Sequence, residues 1–223
     1  FGKTGTFEAT LRVNGKAPEL FNPLTGEITR LARFKSVPGG TRITVDVKDR
    51  ADSFFVVFRE PVSYPSVVGA SAPPASLALF YDEDDRLIAE SCKAGVYTLS
   101  MSNGTKRNVV IKQDSRTFVI KTPWQTNQQD ANGYSVLKET KFDVPAGFGT
   151  GQRVVLNLGK VEVMAKVALN GKCYDTLWMP PFELDVTDAV KPGQNALKIL
   201  VTSTSTGQPK LGDAVQLRTI TRL

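Results

Sequence analysis

The chain has 223 residues, 41% of them hydrophobic, which is enough for a sizeable core and too apolar for a disordered segment. Its formal charge is +6, from 28 basic and 22 acidic residues that are scattered; no basic run or aromatic–basic motif points to nucleic acid, while acidic partners such as uronate or sulfated polysaccharides are allowed. There is no histidine, which excludes Ser-His-Asp and Cys-His catalysis and every His-based zinc site, and no apolar run of about 18 residues, the length a membrane-spanning helix needs.

The opening FGKTGTFEATLRV alternates like a strand and has no apolar signal-peptide core, so the chain reads as a mature or excised piece of something larger. Period-two alternation rich in β-branched residues predicts strands at Thr6–Val13, Thr41–Val47, Phe54–Arg59, Ser76–Phe80, Arg86–Ser91, Val96–Ser102, Arg107–Lys112 and Thr117–Lys121. Later strands are predicted at Ser135–Val144, Arg153–Leu158, Val163–Leu169, Phe182–Val186, Ala196–Thr202 and Ala214–Thr221. Between them lie Asn-Gly pairs at Asn14-Gly15, Asn103-Gly104, Asn132-Gly133 and Asn170-Gly171, each suited to a type I′ turn because both residues tolerate positive φ. The stretch Glu60–Ser76 holds four prolines and reads as an irregular crossing or linker. No segment keeps helical periodicity, although DVTDAV can form one helical turn. Many short strands at this spacing predict an all-β chain of two β-sandwich or jelly-roll domains, 1–120 and 121–223, divided at the polar, turn-rich TPWQTNQQDANGY. Cys92 and Cys173 are too few for a disulfide framework or a four-ligand metal site and read as free thiols.

The second half carries a recognisable series. GYSVLKETKFDVPA is followed by RVVLNLGKVEVMAKVALNGKCYDTLWMPPFELDVTDAVKPGQNALKILVTST. This resembles the galactose-binding-like, sugar-binding jelly roll of glycoside hydrolase family 2, and most nearly its version at the C-terminus of family 106 α-L-rhamnosidase-type enzymes. Upstream, RVNGKAPELFNPLTGEI and SFFVVFRE resemble the β-rich segment that follows the catalytic region in those enzymes. The ending departs from that pattern: of its usual N-x-W-x-NRLIGD only Leu211, Gly212 and Asp213 are echoed within TSTSTGQPKLGDAVQLRTI. The resemblance implies a non-catalytic accessory region of a multidomain bacterial glycoside hydrolase, secreted or periplasmic. Its implied partners are a plant or algal polysaccharide and the parent's catalytic module, with no nucleic acid and no membrane.

Several residues carry candidate chemistry. Trp178, in TLWMPPF, is either a stacking platform for the C–H face of a pyranose or a core anchor wedged by Pro180 and Pro181, and the prolines with Met179 favour the anchor. Trp124 sits in a polar loop with Gln125, Asn127, Gln128, Gln129 and Asp130, whose amides and carboxylate suit sugar hydroxyls; the other reading is a packing Trp beside a solvated loop. Asp185 and Asp188, with Thr187 between them, either supply oxygens to a structural calcium ion or cap the following turn, and capping is favoured. YDEDDRL lacks the spacing and glycine of a calcium loop and reads as a solvated hairpin turn, and GFGTG lacks the lysine and helix of a phosphate loop. No acidic residue lies in a motif suggesting the carboxylate pair that glycoside hydrolysis needs.

Overall fold

The computed structural model describes residues 3–48, 52–205, 209–212 and 214–223. Among them the chain is all-β, with no helix. It divides into two compact units, Phe1–Asp114 with Thr221–Leu223, and Ser115–Ile220.

The first unit begins with β1 (Gly5–Leu11), β2 (Glu19–Phe21), β3 (Ile28–Leu31), β4 (Phe34–Val37), β5 (Gly40–Val47) and β6 (Phe55–Val57). It continues with β7 (Val67–Ala70), β8 (Leu77–Tyr81), β9 (Leu87–Ser91), β10 (Gly95–Met101) and β11 (Lys106–Ile111). The strands pair antiparallel as β1-β5-β4, β11-β10-β7 and β6-β2-β3-β8-β9, with Thr221 and Arg222 laid beside Ser91 and Glu90. Alternation decides what is buried: Ile43, Val45 and Val47 of β5 point inward, and Leu77 and Leu99 are wholly enclosed. The proline-rich Glu60–Ser76 is more ordered than expected. It contains β7, and Tyr64 and Val67 lie in the core. The Tyr64 ring packs 3.9 Å from that of Tyr81, and its hydroxyl donates to the Leu31 carbonyl at 3.3 Å. Burial pushes the Tyr64 phenol up to about 12. YDEDDRL is the β8–β9 hairpin turn, where Asp82 accepts from the backbone N–H groups of Asp84 and Arg86 at 3.0 and 2.9 Å.

The second unit holds β12 (Thr117–Val119), β13 (Gln125–Gln128), β14 (Ser135–Val144), β15 (Arg153–Asn157), β16 (Met164–Leu169), β17 (Lys172–Cys173), β18 (Glu183–Asp185), β19 (Gly193–Thr202) and β20 (Gln216–Arg222). One antiparallel sheet runs β13-β14-β19-β16-β17; β18-β15-β20, with β12 against β20, forms the other layer. Between them lies one core, including Phe142, Leu156, Leu158, Leu169, Leu197, Ile199 and Leu217. The compact unit starts at Ser115, ahead of the 120/121 division read from composition. Thr117–Val119 pairs with Gln216–Arg218, and Ile120 belongs to the second core.

Of the four Asn-Gly pairs, only Asn170-Gly171 has both residues at positive φ (52° and 87°), forming the two-residue loop from β16 to β17. At the other three only the glycine adopts positive φ, so the expected I′ geometry is absent there. DVTDAV forms one turn, in which the Val190 N–H donates to the Val186 carbonyl at 2.9 Å. Asp213 lies outside the described residues; Leu211 bridges to Val161, and the Gly212 N–H donates to the Lys160 carbonyl at 2.6 Å.

Candidate functional site

The amide-rich stretch after Trp124 is an edge strand, not a loop. β13 pairs with β14 in the register Gln125↔Glu139, Thr126↔Lys138, Asn127↔Leu137 and Gln128↔Val136. Val136, Thr140, Phe142 and Val144 of β14 are buried, so Glu139 and Leu137 point outward, and Gln125 and Asn127 lie with them on the outer face. Trp124, one residue earlier, falls on the inner side and packs against the core. The Thr140 hydroxyl secures this entry by donating to the Pro123 carbonyl at 2.9 Å. Trp124 therefore holds the edge strand onto the core. Trp124→Ala is expected to lower unfolding free energy by about 2–3 kcal/mol, below the range for fully buried Trp because the indole is only partly covered. Urea denaturation checks this.

Gln129 and Asp130 serve the turn that follows. The Asp130 carboxylate accepts from the backbone N–H groups of Asn132, Tyr134 and Ser135 at 3.0, 2.9 and 2.6 Å. These bonds, the Tyr134 one foremost, hold its carboxyl below the usual carboxylate range. Gln129 turns its side-chain amide back to the Asn127 carbonyl at 3.3 Å, and Gln128 donates to the Asp130 carbonyl at 2.6 Å. The sugar-contact candidates of this stretch thus separate: Gln125 and Asn127 share the outer face, while Gln129 and Asp130 fold a turn and Trp124 packs.

Trp178 reverses the expectation drawn from its prolines, because its indole is 57% exposed. The anchor in this segment is its neighbour Leu177, which packs on the core and exchanges two backbone hydrogen bonds with Ala165, both 2.8 Å. With Leu177 fixed in an extended bridge, the next side chain is directed away from the core. Leu177, Trp178 and Met179 are all apolar, so no alternation in the sequence marks which faces out; the bridge of Leu177 to Ala165 decides it.

Asp185 and Asp188 are both engaged. Asp185 Oδ1 accepts from the Thr187 hydroxyl at 2.6 Å and the Thr187 N–H at 3.0 Å, and Oδ2 pairs with Arg153 Nε at 2.8 Å. Partial burial pushes its carboxyl up, but the Thr187 and Arg153 contacts outweigh this and hold it below the usual range. Asp188 pairs with Lys172, whose ammonium that contact pushes up. Asp185 caps a turn, and the two carboxylates pair with Arg153 and Lys172. Among the described residues no group of three or more His, Cys, Asp or Glu is placed to hold a metal ion.

Two depressions complete the surface of this unit. One, of about 400 Å³, lies on the outer sheet face and is lined by Pro123, Gln125, Glu139, Lys141, Ala196 and Lys198. Glu139 Oε1 and Lys198 Nζ are 2.6 Å apart across its floor. Glu139, Lys141 and Lys198 were not picked out from sequence; they occupy the polar positions of alternating strands, and only the β13–β14–β19 register brings them beside Gln125. The other, about 600 Å³, is lined by Lys160, Glu162, Lys210, Leu211 and Gly212, where the ending departs from the resembled pattern. There Glu162 Oε2 accepts from the Lys210 N–H at 2.8 Å.

No family model matches the chain. It is 50% identical over 54 residues to a protein of Formosa agariphila provisionally named a β-glucuronidase, a match covering 24% of this chain and 5% of that protein. Its fold is similar to part of a solved rhamnosidase from Novosphingobium sp. PP1Y, with a TM-score of 0.63, 20% identity, and coverage of 97% of this chain and 22% of that one. A Bifidobacterium dentium β-glucuronidase, solved with coumarin-3-O-glucuronide, overlaps 47% of this chain and 30% of its own at a TM-score of 0.40 and 18% identity. The chain is therefore similar to parts of the Formosa protein and the Novosphingobium rhamnosidase, and it spans only 5% and 22% of their lengths.

Proposed function

We propose that this chain is a non-catalytic, carbohydrate-binding accessory region of a secreted or periplasmic multidomain glycoside hydrolase, its second unit a galactose-binding-like jelly roll. The observation that carries the reading is the exposed indole of Trp178. A flat aromatic face open to solvent suits the apolar C–H face of a pyranose, while neighbouring polar groups take up the hydroxyls. Polysaccharide from plants or algae is the ligand this chemistry fits. A shallow surface of this kind binds in the micromolar to millimolar range, and tethering to a catalytic module raises its effective affinity.

Affinity electrophoresis across a panel of neutral and acidic glycans tests it. At least one glycan is expected to retard the chain, and Trp178→Ala is expected to remove the indole-dependent part, weakening binding at least tenfold while leaving the urea midpoint unchanged. Retardation by no glycan sinks the reading. A bracing role then takes its place, for which the first unit supplies its own observation. Leu11, Val13, Phe54, Phe55, Val56 and Phe58, with Arg12 among them, line an open, mainly apolar groove, with Phe55 63% exposed, as a docking face for a catalytic module would require.

A further inference from the structure

The outer face of the five-stranded sheet has a charge arrangement that stacking on Trp178 does not use. Three lysines stand there on successive strands, displaced by two residues each time. Lys141 of β14 is one diagonal step from Lys198 of β19, because Lys141 pairs with Ala196. Lys198 is one further step from Lys166 of β16, because Lys198 pairs with Ala168. Diagonal neighbours in an antiparallel sheet stand about 7–8 Å apart at the backbone, so the three lysines spring from a straight track at near-even spacing. The positions flanking this diagonal are Ala196 and Glu139 at the first step and Ala168 and Leu200 at the second, so a small side chain stands on one side of each step. The depression beside them opens onto this track.

The acids on this face are Glu139 and Asp143. Glu139 is committed to Lys198, and this contact holds the central ammonium over the trough. Asp143 lies at the far end of β14, opposite Gln194. Among the described residues Lys141 and Lys166 make no ion pair, and both are exposed. A neutral sugar gains little from such a track. A chain carrying regularly spaced negative charges gains most at Lys141 and Lys166, with Lys198, shared with Glu139, between them and the Gln125 amide on the rim available to its hydroxyls.

We propose that this face binds an anionic polysaccharide, its carboxylate or sulfate groups seated along Lys141, Lys198 and Lys166 and its hydroxyls on Gln125. The proposal rests on the carbohydrate-binding reading and names the ligand class. The track complements the +6 charge of the chain but does not follow from it, since only the pairing register aligns the three lysines.

The test is titration calorimetry of the whole chain against polygalacturonate, dextran sulfate and neutral dextran. Four forms are compared: the natural chain; Trp178→Ala; Lys141→Gln, Lys166→Gln, Lys198→Gln; and a charge-matched control, Lys93→Gln, Lys106→Gln, Lys112→Gln, whose lysines are exposed in the first unit. The natural chain is expected to bind one of the polyanions at least tenfold more tightly than dextran. The sheet triple should lose at least tenfold, and the control should stay within twofold. Binding to polygalacturonate alone assigns carboxylate, binding to dextran sulfate alone assigns the sulfate ester, and either supports the proposal. Equal losses in both triples show diffuse ionic attraction and overturn it. So does glycan binding that Trp178→Ala removes and the sheet triple leaves intact, which keeps the carbohydrate-binding reading and discards the track. No binding to any glycan overturns both.

Discussion

Asn195→Asp is expected to destabilise the second unit by about 3–5 kcal/mol at pH 7, the range for an uncompensated buried charge. Asn195 is completely buried, and every hydrogen-bonding position of its amide is filled. Its Oδ1 accepts from the Lys191 N–H at 3.0 Å and from Asn170 Nδ2 at 2.8 Å. Its Nδ2 donates to the Lys191 and Gly193 carbonyls at 2.7 and 2.8 Å. The Lys191 N–H is a donor only, so the amide has a single workable orientation. Asn170 extends the clasp, donating also to the Ala189 carbonyl at 2.8 Å and accepting from the Ala196 N–H at 2.9 Å. Together the two asparagines tie the β16–β17 turn to the loop before β19. An aspartate at 195 turns one oxygen toward two carbonyl oxygens where two N–H bonds had been, so its charged form is strongly disfavoured. Its pKa in the fold then lies above the unfolded value of about 3.9. The folded state therefore binds more protons than the unfolded one between those two pKa values, and the deficit grows as pH rises through that window. Urea midpoints should place the variant nearer the natural chain at pH 4 than at pH 7. A loss under about 1 kcal/mol at pH 7, or no pH trend, means the clasp does not carry the unit.

That clasp marks what is legible in the sequence. The motif LNG and the later PGQN read as turn punctuation; LNG makes the β16–β17 turn, while PGQN is a bend at Pro192 that opens directly into β19. What the punctuation does not reveal is that its two asparagines bond to each other, because 25 residues separate them and only the β16–β19 pairing closes the gap. Each strand predicted from period-two alternation coincides with an observed one. The strands that went unread fail that pattern for identifiable reasons. β2, β3 and β4 are short segments among prolines, glycines and turn residues, and β7 is four residues in a proline-rich stretch. β13 is wholly polar and exposed, so it has no apolar alternation; its hydrogen bonds to β14 alone define it. A two-residue strand such as β17 has no periodicity at all.

The site was less legible than the fold, and for a related reason. Composition offered Trp124 with its amides as a sugar loop or a packing Trp, and favoured packing for Trp178 while keeping it as a sugar-contact candidate. Both readings followed local neighbours, but which face a side chain occupies depends on the partner strand. Gln125 opposite Glu139 sends Trp124 inward, and Leu177 opposite Ala165 sends Trp178 outward. The lysine diagonal needs two registers at once, so no window along the chain contains it. By contrast, the capping reading of Asp185 and Thr187 rests on partners two residues apart, and the structure has that contact.

Gly40→Ala is the counterpart in the first unit, with an expected loss of about 3–5 kcal/mol, at the severe end for single substitutions. The glycine opens β5 after the Pro38-Gly39 turn, pairs with Val37, and has a φ of 151°. Dihedral preference alone makes a side chain unfavourable there by roughly 1–2 kcal/mol. The larger effect is steric: a Cβ at this position falls 1.9 Å from the Leu11 carbonyl oxygen and 2.8 Å from its carbon. Both are backbone atoms, so no rotamer change relieves the contact. Leu11 is moreover tied on both sides, through its pairing with Thr41 and through its carbonyl, which accepts from the Val13 N–H at 2.8 Å. The Thr41 hydroxyl adds a bond to the Val13 carbonyl at 2.7 Å. Relief therefore requires the end of β1 to move off β5. Gly39→Ala separates the two causes, because Gly39 has φ 91° and nothing within 4 Å of its added Cβ. That variant should lose only about 1–2 kcal/mol, the dihedral share. Urea unfolding of the pair, followed by circular dichroism, should show Gly40→Ala the more damaging by at least about 2 kcal/mol. Equal losses would mean that β1 yields at its end and that the close approach of Leu11 to Gly40 does not constrain the fold.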